Sequence, residues 1–316
     1  MSEGESASTW EGVDVLPAGD REDLVLLSNN SMRARRRPLA IVLLWGWQTA
    51  FTALVAWPAA AIVASYYGRH PFDDAPLWER GGLPITDLGF ELRAMVMPVV
   101  TLATLVFFLT ALTELVPIGA LFSSIGYVTR SRRAPSLRAC MSRAVSSLDV
   151  LVSLFAVASL VEAALVGLAF LAGYGVSDAA TNRLGEARAD QLGLLTGLGV
   201  AFLAAIVGVV HDLARAGAMR YRVGHLRAWR FALNAFLRGP VAVIWSWAWR
   251  GIAGWAPVAV GGLVAARVGG RAGGALVALA VVHQLVLGAR VSLRASWFAA
   301  AMRAVDQAHK RVRLGD

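Results

Sequence analysis

One cysteine, one lysine and little charge of any kind mark this 316-residue chain. Cys140 alone excludes an intramolecular disulfide and any paired-cysteine metal site. Lys310 is the only lysine among 30 basic residues, so the net charge of +9 is arginine charge. Charged residues make up 16%, against roughly 25% in soluble domains. Catalytic signatures are missing as well: there is no GxxxxGK[ST], no HExxH and no GxSxG. His70, His211, His225, His283 and His309 are scattered, and no cysteine or second close acid completes a zinc set around His211 and His225. Neither a metal nor a cofactor is expected, and no enzyme class is indicated.

Apolar sequence fills the space. Hydrophobic residues make up 57% and the mean hydropathy is +0.58. Six apolar stretches, at about 39–66, 95–122, 148–174, 192–210, 240–266 and 273–290, approach or exceed the ~20 residues that cross a bilayer. The expected fold is an all-α, polytopic membrane bundle of six transmembrane helices with amphipathic cytoplasmic helices. The longest connection, 67–94, is rich in Gly, Pro and Asp and is expected to lie across the mouth of the bundle.

Arginine placement predicts orientation. The segments before the first span, after the second, after the fourth and after the sixth hold 21 basic residues, against seven on the opposite side. The bias alternates loop by loop, which places both termini in the cytoplasm. Residues 1–32 carry seven acids and Arg21 alone, the reverse of a secretory leader. They read as a disordered acidic cytoplasmic tail, followed by a membrane domain over 33–302 and a basic cytoplasmic tail over 303–316. The multi-pass pattern fits the cytoplasmic (inner) membrane of a bacterium. Leu-Arg-Ala recurs at 137–139, 226–228 and 293–295, which fits three helix pairs or chance in a chain rich in Ala and Arg.

A charge inside lipid costs on the order of 3 kcal/mol or more, so polar residues within spans carry information. Glu162 lies about 15 residues, roughly 20 Å, into the third span from the cytoplasmic side. Arg250 lies about 11 residues, roughly 16 Å, into the fifth, and His283 and Gln284 reach a similar level in the sixth. These four residues form the candidate intramembrane cluster. Three readings stand: a functional site, a structural Glu162–Arg250 pair, or an Arg250 that snorkels to the inner interface beside Trp245, Trp247 and Trp249. Pro58 in the first span and Pro257, with nearby glycines, in the fifth also fit the broken helices that line transporter cavities, although glycine more often serves close packing, as in "GLLTG" (193–197).

The segment "HDLARAGAMRYRVGHLRAWRFALNAFLRGP" (211–240) sets six arginines against Asp212. Met219, Val223, Leu226, Trp229, Leu233, Phe236 and Leu237 share an arc of roughly 140°, with Arg222 and Arg230 inside it, as on an imperfectly amphipathic helix lying in the membrane surface; the alternative is a cytoplasmic extension of the fourth helix packed on a re-entry helix. Arg215, Arg220, Arg222, Arg227 and Arg230 are therefore expected to dock anionic lipid or a protein partner, rather than nucleic acid. Through "HDLARAGAM" and "NAFLRGPVAVI" the chain resembles bacterial six-helix membrane proteins and, more distantly, the membrane domain attached to some glycerophosphodiester phosphodiesterases. That resemblance covers about 40 residues and implies architecture without activity, since those membrane domains carry no catalytic residues. The expected function is a non-enzymatic scaffold, assembly or accessory component. The alternative is a transporter or a permease subunit of the ATP-driven type, with Glu162, Arg250 and His283 along its path; a membrane-embedded lipid enzyme ranks third.

Overall fold

The structure is a computed structural model that describes residues 24–67, 96–268 and 274–314. The acidic stretch 1–23 and the 67–94 connection from residue 68 onward lie outside the described residues. Among the described residues there are eight α-helices: α1 Pro38–Tyr67, α2 Val96–Gly126, α3 Leu137–Val145, α4 Leu148–Leu184, α5 Glu186–Tyr221, α6 His225–Leu237, α7 Pro240–Val268 and α8 Gly274–Leu314. The only strands among them are β1 Leu24–Leu26 and β2 Tyr127–Thr129, which pair antiparallel with Leu24 opposite Thr129. The chain is thus an all-helical membrane-type protein. Five helices are long and apolar enough to cross a bilayer, in α2, α4, α5, α7 and α8. In α1 the apolar run among described side chains is shorter, Pro38–Leu54.

Several helices outrun the membrane. At 1.5 Å per residue, the 37 residues of α4 reach about 55 Å and the 41 of α8 about 60 Å, against a ~30 Å hydrocarbon core. The packing is concentrated toward one end of the bundle. Leu115, Ile118, Leu121, Phe122 and Ile125 of α2 meet Leu151 and Leu154 of α4, Leu213 and Met219 of α5, and Phe298 and Met302 of α8 in one buried cluster. The Phe122 and Phe298 rings lie 4.7 Å apart. Toward the other end large apolar side chains such as Leu160, Phe170, Leu171, Leu195, Ile252 and Trp255 face outward. Outward-facing apolar side chains of this kind suit a lipid surround, because lipid is as apolar as leucine and gives no drive to bury them.

Close backbone approach joins α4 to α5. A Cβ on Gly193 would sit 2.5 Å from the Gly173 carbonyl oxygen, and one on Gly173 would sit 2.9 Å from the Gly193 oxygen. Only glycine fits there. The helices also run unbroken through Pro58, Pro117 and Pro257, so the interrupted helices expected near Pro58 and Pro257 are absent.

Two segments differ from the expected division. Residues 24–32, expected to belong to the disordered acidic tail with at most a short interfacial turn over 23–27, form β1 and a short 3-10 turn, and Met32 is fully buried. Pairing with β2 satisfies their backbone groups. The stretch from residue 303, expected as a tail, is the last part of α8, with Val305, Asp306 and Ala308 buried.

Candidate functional site

The basic segment supplies several densely connected polar groups among the described residues. Helix α5 continues straight out of its span to Tyr221, where Arg222 adopts the left-handed conformation (φ 52°, ψ 45°) and ends it. Its last turns therefore pass through the packed core. His211, Arg215 and Arg220 are buried there rather than displayed.

One network lies where the core meets the spans. Asp212 accepts a hydrogen bond from the Trp297 indole at 2.8 Å and pairs with Arg215 one turn on at 3.4 Å. Glu114 of α2 accepts from Arg294 of α8 at 2.7 Å and from the Gln48 amide of α1 at 2.6 Å. His211 stacks on Trp229 of α6 with centroids 6.2 Å apart. Four long helices and α6 are fixed together by these contacts.

A second network closes the far end of the core. Arg220 donates to Asp306 through Nε at 3.3 Å and Nη2 at 3.1 Å, and to the carbonyl oxygens of Gly126 and Leu27 at 2.6 Å each. Tyr221 donates to Asp306 at 3.0 Å, and Lys310 pairs with the same carboxylate at 3.1 Å. Next to it, Tyr127 donates to the Arg220 carbonyl at 2.6 Å, while the Arg143 guanidinium lies over its ring and donates to its hydroxyl oxygen. Arg37 donates to the Tyr127 carbonyl at 3.0 Å. Burial pushes the Tyr127 phenol above its usual range, against the lowering pull of Arg143 and Arg220. Burial likewise pulls Arg143 and Arg37 downward.

The four intramembrane candidates are not brought together. Glu162 points at α5, its Oε1 3.3 Å from where a Cβ on Gly208 would stand. Arg250 donates to Ser296 of α8 at 3.1 Å and to the Ser246 hydroxyl at 2.7 Å, with its guanidinium 4.5 Å from the Trp249 ring centroid. The Glu162–Arg250 pair is not formed. Helix α4 packs along α5 and α7 packs along α8, so each charge meets its own hairpin partner. Gln284 accepts from Thr49 of α1 at 3.1 Å, and His283 is exposed on α8.

The docking arginines divide. Arg222, Arg227 and Arg230 are exposed, whereas Arg215 and Arg220 are buried and engaged, which corrects their expected place on the surface. Asp212 holds Arg215 and Asp306 holds Arg220, and the sequence pattern singles out neither acid. A buried arginine needs a carboxylate close by, and these supply it.

The chemistry of both networks is charge compensation. Among the described residues no hydroxyl or thiol hydrogen-bonds His211, as a base-activated nucleophile would require. Nor, among them, do three of His, Cys, Asp and Glu gather as metal ligands do. No known protein family, curated protein or solved structure matches this chain.

Proposed function

We propose that the chain is a non-enzymatic, six-span protein of a bacterial cytoplasmic membrane, with both termini in the cytoplasm. It acts as a scaffold or accessory component that applies a basic cytoplasmic face to anionic lipid or an acidic protein partner. The observation that carries this reading is the two-sided character of α6. Ala228, Ala232 and Ala235 bury one face against the core. Leu226, Leu233 and Leu237 stand exposed on another, with Arg227 and Arg230 exposed beside them. A small-residue face inward and a leucine stripe flanked by arginines outward is the pattern of a helix resting in the headgroup layer. The buried networks support the scaffold role, because they hold that face rigidly on the ends of the spans.

The permease alternative draws on Glu162, Arg250 and His283. Their separation, and the unbroken course of α1 and α7, favour the scaffold. A fluorophore sensitive to polarity at Leu233→Cys tests the reading in proteoliposomes. Blue-shifted emission in phosphatidylglycerol vesicles, weakened in the triple variant Arg222→Gln/Arg227→Gln/Arg230→Gln, is the expected result. Water-like emission in anionic and neutral vesicles alike would remove the support for lipid docking.

A further inference from the structure

Between α1 and α8 runs an open groove of about 620 Å³, walled by Ile41, Val42 and Trp45 on one side and by Val277, Val281 and Leu285 on the other. That volume lies within the roughly 300–1,000 Å³ of ordinary ligand sites. Two of its polar side chains are already engaged, and the Trp45 indole N–H is buried in the wall without a partner. Gln284 accepts from Thr49 at 3.1 Å, and the Ser292 hydroxyl donates to the Gly288 carbonyl at 2.8 Å. What the groove exposes to an occupant is mainly hydrocarbon wall, so an apolar chain gains contact there.

Length and charge narrow the occupant. From Val277 to Ser292 the groove follows α8 for about 22 Å, enough for an acyl chain that fills one leaflet of about 15 Å. No acidic side chain lines it. The Ile41–Ser292 end is the arginine-rich end: exposed Arg35 and Arg36 sit on the 3-10 turn just before α1, and that turn packs against α8. A molecule with a hydrocarbon tail and an anionic head matches both features at once.

We propose that this groove is a seat for an anionic phospholipid, with one acyl chain along α1 and α8 and the phosphate headgroup against Arg35 and Arg36. The proposal rests on the membrane placement of these helices and not on any docking role of α6. Such a lipid fastens the first helix to the last.

Native mass spectrometry of the full chain tests it, from micelles loaded equally with dioleoyl phosphatidylglycerol and dioleoyl phosphatidylcholine. The wild-type chain is expected to retain phosphatidylglycerol in preference by roughly thirtyfold, with two surface arginines contributing. Arg35→Gln/Arg36→Gln brings the two lipids close to parity. Because a variant can fail by unfolding, a phosphatidylglycerol with a photoreactive group in its acyl chain is applied to the wild-type chain. Its cross-links are expected in residues 38–54 and 274–292. Equal retention of both lipids by the wild-type chain, or cross-links confined to other segments, overturns the proposal. So does a high yield of chain-to-chain disulfide from Val281→Cys, which would make the groove an interface between copies. Arg222→Gln/Arg227→Gln/Arg230→Gln leaves the groove cross-links unchanged, so loss of the α6 reading and loss of this one are distinguishable.

Discussion

Arg220 and Asp306, 86 positions apart in the chain, form an ion pair in which both side chains are 4% exposed. The pair ties the end of α5 to the last turns of α8. Because Arg220 also caps the Gly126 and Leu27 carbonyls, it holds α2 and the β1 segment to the same point.

Removing Asp306 leaves the buried Arg220 charge without a carboxylate, which typically costs about 3–5 kcal/mol. Removing Arg220 leaves Asp306 with Tyr221 and Lys310. Asp306→Asn should lower the melting temperature in detergent sharply, and Arg220→Met should lower it by less. The double variant should be less destabilised than the sum of the singles, because the second change removes the orphaned charge. Simple additivity in the double-mutant cycle would show that the pair does not stabilise the fold.

Glu162 and Arg250 should behave oppositely. Their side chains bind different helices, so Glu162→Gln and Arg250→Met are expected to add within about 0.5 kcal/mol. A larger interaction energy by thermal denaturation would restore the direct pair.

Gly193 stands 2.5 Å, at its would-be Cβ, from the Gly173 carbonyl oxygen. Gly193→Val should force α4 and α5 apart and cost about 1–3 kcal/mol as overpacking. Gly199, on the same helix with open space at its Cβ position, is the control. If Gly199→Ala and Gly193→Val melt alike, close packing at Gly193 is refuted.

Tyr127 gives the fold an alkaline limit. Its folded phenol titrates above the unfolded value of about 10, so the neutral form contributes stability that is complete below that pH. The contribution is lost as pH rises through the raised folded value. Melting temperature should fall more steeply above about pH 10 for the wild-type chain than for Tyr127→Phe. Parallel curves would show that the phenol titrates as it does in the unfolded chain.

Topology is testable through the single cysteine. Cys140 is 1% exposed and should resist maleimide, leaving Arg227→Cys as the reporter. In right-side-out cells a membrane-impermeant maleimide should leave position 227 unlabelled until the membrane is opened. Labelling of intact cells would reverse the proposed orientation.

Much of the helical course was readable from the chain. The stretches at 39–66, 148–174, 192–210 and 240–266 fall inside observed helices, and the described parts of 95–122 and 273–290 do as well, because a run of apolar residues in lipid must satisfy its backbone internally. Their ends were less readable. Helix α5 runs 11 residues past the expected end at 210, and α8 runs 24 past 290, where mixed composition hides a helix held by tertiary packing. For the site, Arg222, Arg227 and Arg230 matched their expected exposure, whereas Arg215 and Arg220 did not. Helical projection places arginines on a face without saying whether another helix covers it.

Composition and periodicity by themselves determined the membrane class, the helical character and the asymmetric distribution of arginine, since each follows from transfer of side chains between water and lipid. Tertiary structure decided which charges meet. Glu162 turned to Gly208, Arg250 to Ser296, and Arg220 to Asp306, because partner choice depends on which helices lie side by side, and the sequence carries no local signal for that.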